Sequence, residues 1–173
     1  MKNKKATFKV AFNFFKRSLI YYIMYNPLLA VQYAKQWAFT YNPNYYNFSS
    51  LGGDCTNFVS QCLYAGGIQM SYLPLGWYYN SLNDRAPAWT GVNEFWNFGI
   101  SNTGAGLKLK ETSISYLKVG DIIQLYNGQR FYHTLLVVNV EKGIRVSAHD
   151  NNAFNIPLTS YYFTSYRSAR VFD

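Results

Sequence analysis

Residues 51–67 read LGGDCTNFVSQCLYAGG, and they constrain this chain more than any other stretch. Two glycines lead in, where the backbone can take angles that other residues resist. Asp54 is placed to cap a helix, because its carboxylate can accept from the unpaired N–H groups of a first turn. Helix-compatible residues follow, and Gly66 and Gly67 supply the stop. The spacing predicts a helix over 54–65 with Cys55 at its first helical position. The positive end of the helix dipole there favours thiolate, the nucleophilic form of cysteine. The stretch therefore reads as a reactive thiol on a rigid mount.

The only other cysteine, Cys62, lies seven residues on. Along one helix that is roughly 10 Å, too far for a disulfide. Cys62 reads as a small core residue. A zinc site would need ligands within ~2.3 Å of one ion, which two thiols two turns apart cannot both meet. There is no CxxC pair, so no metal and no organic cofactor is expected.

A nucleophilic thiol needs a base, and the base needs an orienting partner. The chain has two histidines, His133 and His149. From residue 119 the pattern becomes that of strands: IIQLY, then Asn127–Gly128 as a hairpin turn, FYHTLLVVNV, a turn at 141–143, and IRVSAH. A turn centred on residue 141 would set His133 opposite His149 on one face. A register one residue off would put His149 beside Thr134 on the other face. Cys55, His133 and His149 are thus the expected catalytic set, with Asp150 as the alternative third member. The Cys55 N–H is expected to serve as an oxyanion donor. Asp54, Asn57 and Gln61 are its expected polar supports, with bonds to neighbouring loops as their alternative use.

At 173 residues the chain suits one domain with a real core. Net charge is +8, yet residues 1–17 carry +6 of it and no acid, leaving the body at +2. That distribution excludes nucleic-acid binding by the domain as a whole and leaves surface contact to the basic residues 1–17. Residues 1–24 read as a basic, then apolar, helical extension without a membrane-length run or an A-x-A-like cleavage site. Such a tail leaves the compartment open, with the cell exterior or wall and the cytoplasm both compatible. The domain proper is 25–173. A helix should start at Asn26–Pro27 and end near Thr40, and Val92–Phe98 should form a short one. Aromatics reach 20%. Between 68 and 106 the pattern is irregular and rich in tryptophan, which predicts a substrate wall. Tyr46, Trp77 and Trp89 are its expected groove residues, with plain core packing as the alternative.

The segments AVQYAKQWA, NPNYYNF, GGDCTNFVSQCLYAGG, GDII, HTLLVV and VSAHD, in that order, resemble the bacterial putative amidase domain family, related to the NlpC-type cell-wall peptidases of the papain-like superfamily. The resemblance covers roughly Tyr25 to the C-terminus. It implies an α+β fold in which a cysteine-bearing helix packs on a small antiparallel meander or partial barrel. It also implies a catalytic cysteine and histidine at Cys55 and His133, with His149 at the third polar position. The function so implied is a cysteine amidohydrolase cutting amide bonds, in peptides or peptidoglycan, by a Cys–His–His acyl-enzyme route, and the chain is expected to act as a monomer. An acyltransferase or transglutaminase-like enzyme, or a non-catalytic wall-binding module, would share the same pattern.

Overall fold

A computed structural model of the chain describes residues 24–173; the expected N-terminal helical extension lies almost wholly outside them. Helix α1, Pro27–Trp37, begins where Asn26 accepts from the Leu28 and Leu29 N–H groups and proline fills the first turn. It is shorter than expected, because Ala38 already closes it with a bond from its N–H to the Ala34 carbonyl. Helix α2, Cys55–Ala65, packs against α1 and is buried along nearly its whole length. A short hairpin follows, β1 (Tyr79–Ser81) with β2 (Asp84–Arg85). Then come α3, Pro87–Thr90, and α4, Val92–Ser101.

One six-stranded antiparallel sheet completes the domain. Its strands are β3 (Lys108–Glu111), β4 (Ile122–Tyr126), β5 (Phe131–Asn139), β6 (Arg145–Ala148), β7 (Ala153–Pro157) and β8 (Ser165–Phe172). The order across it is β3-β8-β4-β5-β6-β7. The expected meander is therefore present as β4-β5-β6. It is extended by β7. The outer strand β3 pairs with β8 and carried no clear strand signal.

Alternation along the central strands creates two cores. Ile122, Leu136, Val138, Ala169 and Val171 face the helices, where Phe58, Val59, Cys62 and Leu63 of α2 meet them. Ile123, Leu125, Leu135, Val137, Val146 and Ala148 face the other way, with Leu117 and Leu158. Cys62 is fully buried in the first core, as a small hydrophobe. A polar row crosses the helix side of the sheet. Gln124 donates to the Thr134 hydroxyl (3.0 Å), Arg167 donates to Gln124 (2.8 Å), and Thr134 bonds to Thr56 of α2 (2.8 Å). This row ties the first turn of α2 to the middle strands.

The expected register of β5 and β6 is off by one residue. Asn139 pairs with Arg145, but a bulge follows, so that Val137 pairs with Val146 and Leu136 with Ser147. Continued outward, that register sets Thr134 beside His149 and His133 beside Asp150. The cause is the turn: the Asn139 side chain accepts from the Glu141 N–H (2.8 Å), and the connection is wider than a tight loop about residue 141.

The tryptophans of the 68–106 stretch are core, and it is Arg85, Thr90 and Asn93 from that stretch that wall a cleft. Trp77 and Trp89 are fully buried, with ring centroids 4.7 Å apart. Their polar edges are satisfied from α2: Trp77 donates to Ser60 (3.0 Å) and Trp89 to Asn57 (3.0 Å), while Ser60 donates to the Trp89 carbonyl (2.9 Å). Replacing Ser60 by alanine orphans the buried indole N–H of Trp77. The expected loss is about 1–3 kcal/mol in unfolding free energy, read from the denaturant midpoint.

Candidate functional site

Cys55 does open α2, but its cap comes from elsewhere. The Asp54 side chain makes no capping bond. Instead the carboxylate of Asp150, nearly a hundred residues away, accepts from the Asp54 N–H (2.6 Å) and the Cys55 N–H (3.0 Å). The same carboxylate accepts from the Ser49 hydroxyl (3.3 Å). Gly53 makes this approach possible: it sits at φ +118°, and a Cβ there would lie 2.7 Å from an Asp150 oxygen. Asp150 itself has φ 67°, in the left-handed region that aspartate tolerates better than most residues.

The thiol is nearly buried, and its pKa is pushed up to about 11, chiefly by that burial, with the Asp150 carboxylate adding to the rise. Hydrogen bonds from Thr134 and Thr56 work against it without cancelling it. The helix start therefore does not yield the expected thiolate. His133 moves the opposite way, down to about 4, because burial disfavours the imidazolium more than Asp150 favours it. At neutral pH the pair is a thiol beside a neutral imidazole. A sulfur of Cys55, a ring nitrogen of His133 and a carboxylate oxygen of Asp150 all lie within 4.8 Å of one another.

His149 is held away from His133. One ring nitrogen, Nδ1, is 2.6 Å from Asp54 Oδ2, and Nε2 is 2.9 Å from the Trp37 carbonyl. A carbonyl can only accept, so Nε2 must donate to it. The Asp54–Nδ1 contact then shares one proton inside the protein. The imidazole stacks on Phe58 (4.1 Å between centroids) and leans on Tyr41 (4.6 Å). Asp54 is satisfied on its other oxygen by the Phe48 N–H (2.8 Å) and the Asn57 amide (2.9 Å). Asp54 thus ties α2 to the end of α1, the 41–48 loop and β6.

The other expected supports are structural by their contacts. Asn57 bridges Asp54, Trp89 and the Tyr46 carbonyl. Gln61 accepts from the Tyr33 hydroxyl of α1 (2.7 Å). Tyr46 lines neither of the two clefts that border Gly52 and Gly53. The larger cleft, about 700 Å³, is bounded by Tyr41, Gly53, Arg130, Tyr132, His133 and Asp150. A second of about 330 Å³, walled by Arg85, Thr90, Asn93 and Phe131, shares Gly52, Gly53, Arg130 and Tyr132 with it. Sequence reasoning missed Arg130 and Tyr132; the signal was their place between the Asn127–Gly128 turn and His133.

Removing the His149 ring leaves a buried Asp54 carboxyl short of its partner. His149→Ala is expected to cost about 3–5 kcal/mol of stability. His149→Asn should recover part of this loss by donating an amide N–H to Asp54, as chemical denaturation at neutral pH can measure.

The comparisons with known proteins agree with this frame. The pattern described as Putative amidase domain matches residues 24–172. Two Bacillus subtilis (strain 168) proteins are similar to the chain, and both bear the description "uncharacterized". YhbB is 38% identical over 125 residues, 69% of this chain and 39% of its own length. YjcM is 29% identical over 143 residues, 77% of this chain and 32% of its own length. The chain thus spans well under half of either relative. No solved structure matches it. With a family pattern running from Met24 to Phe172 over a single α+β domain, the chain belongs to the putative amidase domain family.

Proposed function

We propose that this domain is a cysteine-dependent amidohydrolase, with Cys55 as nucleophile, His133 as acid and base, and Asp150 as the charged third member. The observation that carries the reading is the triangle of thiol, imidazole and carboxylate within 4.8 Å, two of whose members, His133 and Asp150, line a cleft while Cys55 is buried next to them. Membership of an amidase family supplies the bond type. Peptide amides, and cell-wall peptides first among them, are the substrates to try.

The chemistry follows from the charge states. Since thiol and imidazole are both neutral, His133 must take the Sγ proton as sulfur attacks the carbonyl carbon. A C–S bond forms and the carbonyl electrons move onto oxygen. The Asp150 carboxylate sits where it can stabilise the imidazolium so made. Collapse of the tetrahedral species expels the amine, which takes the proton back from His133. Water, deprotonated by the same imidazole, then cleaves the thioester and releases a carboxylic acid. The expected His149 role passes to Asp150, since the nitrogens of His149 are committed to Asp54 and Trp37.

Digestion of purified peptidoglycan and of its isolated peptides, with new termini identified by mass spectrometry, tests the activity. Cys55→Ala and His133→Ala should abolish new termini, whereas Cys62→Ala should alter stability alone. A thiol, an imidazole and a carboxylate so close together are also a donor set for a divalent metal. Turnover that survives chelation supports the thiol mechanism, and loss on chelation with recovery on zinc favours the metal.

The pH dependence has a definite sign. His133 must be neutral to act, so kcat/KM should rise as pH climbs through about 4, well below the ordinary histidine range. The unfolded chain binds the His133 proton more tightly than the folded one. Its contribution to stability is therefore present above about 6.5 and lost as pH falls toward about 4. His133→Gln should flatten that acid limb in a plot of Tm against pH.

A further inference from the structure

Both candidate orienters of His133 are committed elsewhere. His149 bonds to Asp54 and the Trp37 carbonyl, and Asp150 caps α2. Asp150 lends His133 its charge without a hydrogen bond. Among the described residues, His133 Nε2 is left buried with no partner. A buried ring nitrogen without a partner is costly, and natural folds keep few such groups.

A second orphan lies beside it. Tyr161 follows the turn after β7, and its ring centroid is 5.4 Å from that of His133. Its hydroxyl is also buried without a partner among the described residues. Tyr132 stacks on His133 at 5.8 Å and 12°, with its own hydroxyl spent on the Tyr162 carbonyl (2.8 Å). The imidazole is therefore flanked by two tyrosines, one already bonded and one free.

We propose that Tyr161 is the positioning residue of the site, its hydroxyl accepting from His133 Nε2–H and so holding the imidazole with Nδ1 free to take the Cys55 proton. The two rings are neighbours, with centroids 5.4 Å apart and planes tilted by 46°. Burial and the neighbouring Tyr132 and Cys55 push the phenol up to about 12, so it stays neutral across the working range. Two orphans on adjacent rings are thereby explained together, as the two ends of one bond. The assignment rests on the Cys55–His133 reading, and the test separates the two.

Tyr161→Phe keeps the ring and removes only the oxygen. Two rates are followed on the full chain: alkylation of Cys55 by iodoacetamide at pH 7, read by mass spectrometry, and release of peptidoglycan termini. The expected result is alkylation slowed about 10-fold and kcat lowered by a similar factor, with KM and Tm unchanged. Rates equal to wild type overturn the assignment, as does a fall in rate that a lower Tm accompanies. As a second measurement, the ¹⁵N shifts of the His133 ring should report protonated Nε2 in wild type and a mixture of tautomers in Tyr161→Phe; identical spectra also overturn it. His133→Ala serves as the reference. If it leaves alkylation of Cys55 unchanged, the Cys55–His133 reading fails and Tyr161 falls with it. If it slows alkylation and Tyr161→Phe does not, only the role of Tyr161 fails.

Discussion

A single buried carboxylate organises the domain. Asp54 accepts from the Phe48 N–H and the Asn57 amide, pairs with His149 Nδ1 at 2.6 Å, and has no exposure to solvent. An isolated charge in such a place would be very costly, so its partners are fixed as firmly as the charge is. Through Phe48 it holds the loop that leads into Gly52–Gly53. Through His149 it holds the end of β6 and the Trp37 carbonyl at the close of α1. Through Asn57 it reaches Trp89 in the main core. The position of Cys55 is a consequence of this clamp, since the thiol belongs to the very next residue.

The clamp also explains the exchange of roles between two acids. Because Asp54 turns inward, it cannot cap its own helix, and the first-turn N–H groups need another acceptor. Fixing His149 against Asp54 swings the next residue, Asp150, over the helix start. The left-handed backbone at Asp150 completes the turn. One carboxylate therefore builds the site, and the other sets its electrostatics. With Asp150 near the sulfur, the helix dipole is offset by a nearby negative charge, and burial does the rest.

Local chemistry was legible where local forces decide. Asn26–Pro27, Gly66–Gly67, the Asn127–Gly128 turn and the alternation of β4 and β5 all fixed their elements within a few residues. So did the placement of Cys55 at a helix start. What failed needed long-range knowledge. A bulge between Val137 and Asn139 moved His149 to the other face, and one residue of register is all that takes. Asp54 satisfied every rule for a cap, yet a partner far along the chain claimed its carboxylate. Trp77 and Trp89 looked like groove residues because tryptophan suits both core and surface. Only the buried partners Ser60 and Asn57 decide between the two. Tyr161 gave no signal at all, being one aromatic among many.

The position of Asp150 has a further consequence for chemistry at Cys55. The Cys55 N–H is the natural donor to an oxyanion formed on a carbonyl attacked by that sulfur. In the structure this N–H is already spent on Asp150. On the proposed thiol mechanism, an oxyanion would have to compete with a carboxylate for it, and two negative groups cannot share one donor at that distance without strong repulsion. Either Asp150 shifts toward His133 as the imidazolium forms, or the oxyanion finds another donor. The first course is coherent in charge: Asp150 would follow the new positive charge and release the N–H to the new negative one. It would also remove a negative charge from beside the sulfur, so the thiol would lose its proton more readily at the moment of attack. A resting site with a neutral thiol and a site competent for acyl transfer would then differ by the movement of one carboxylate.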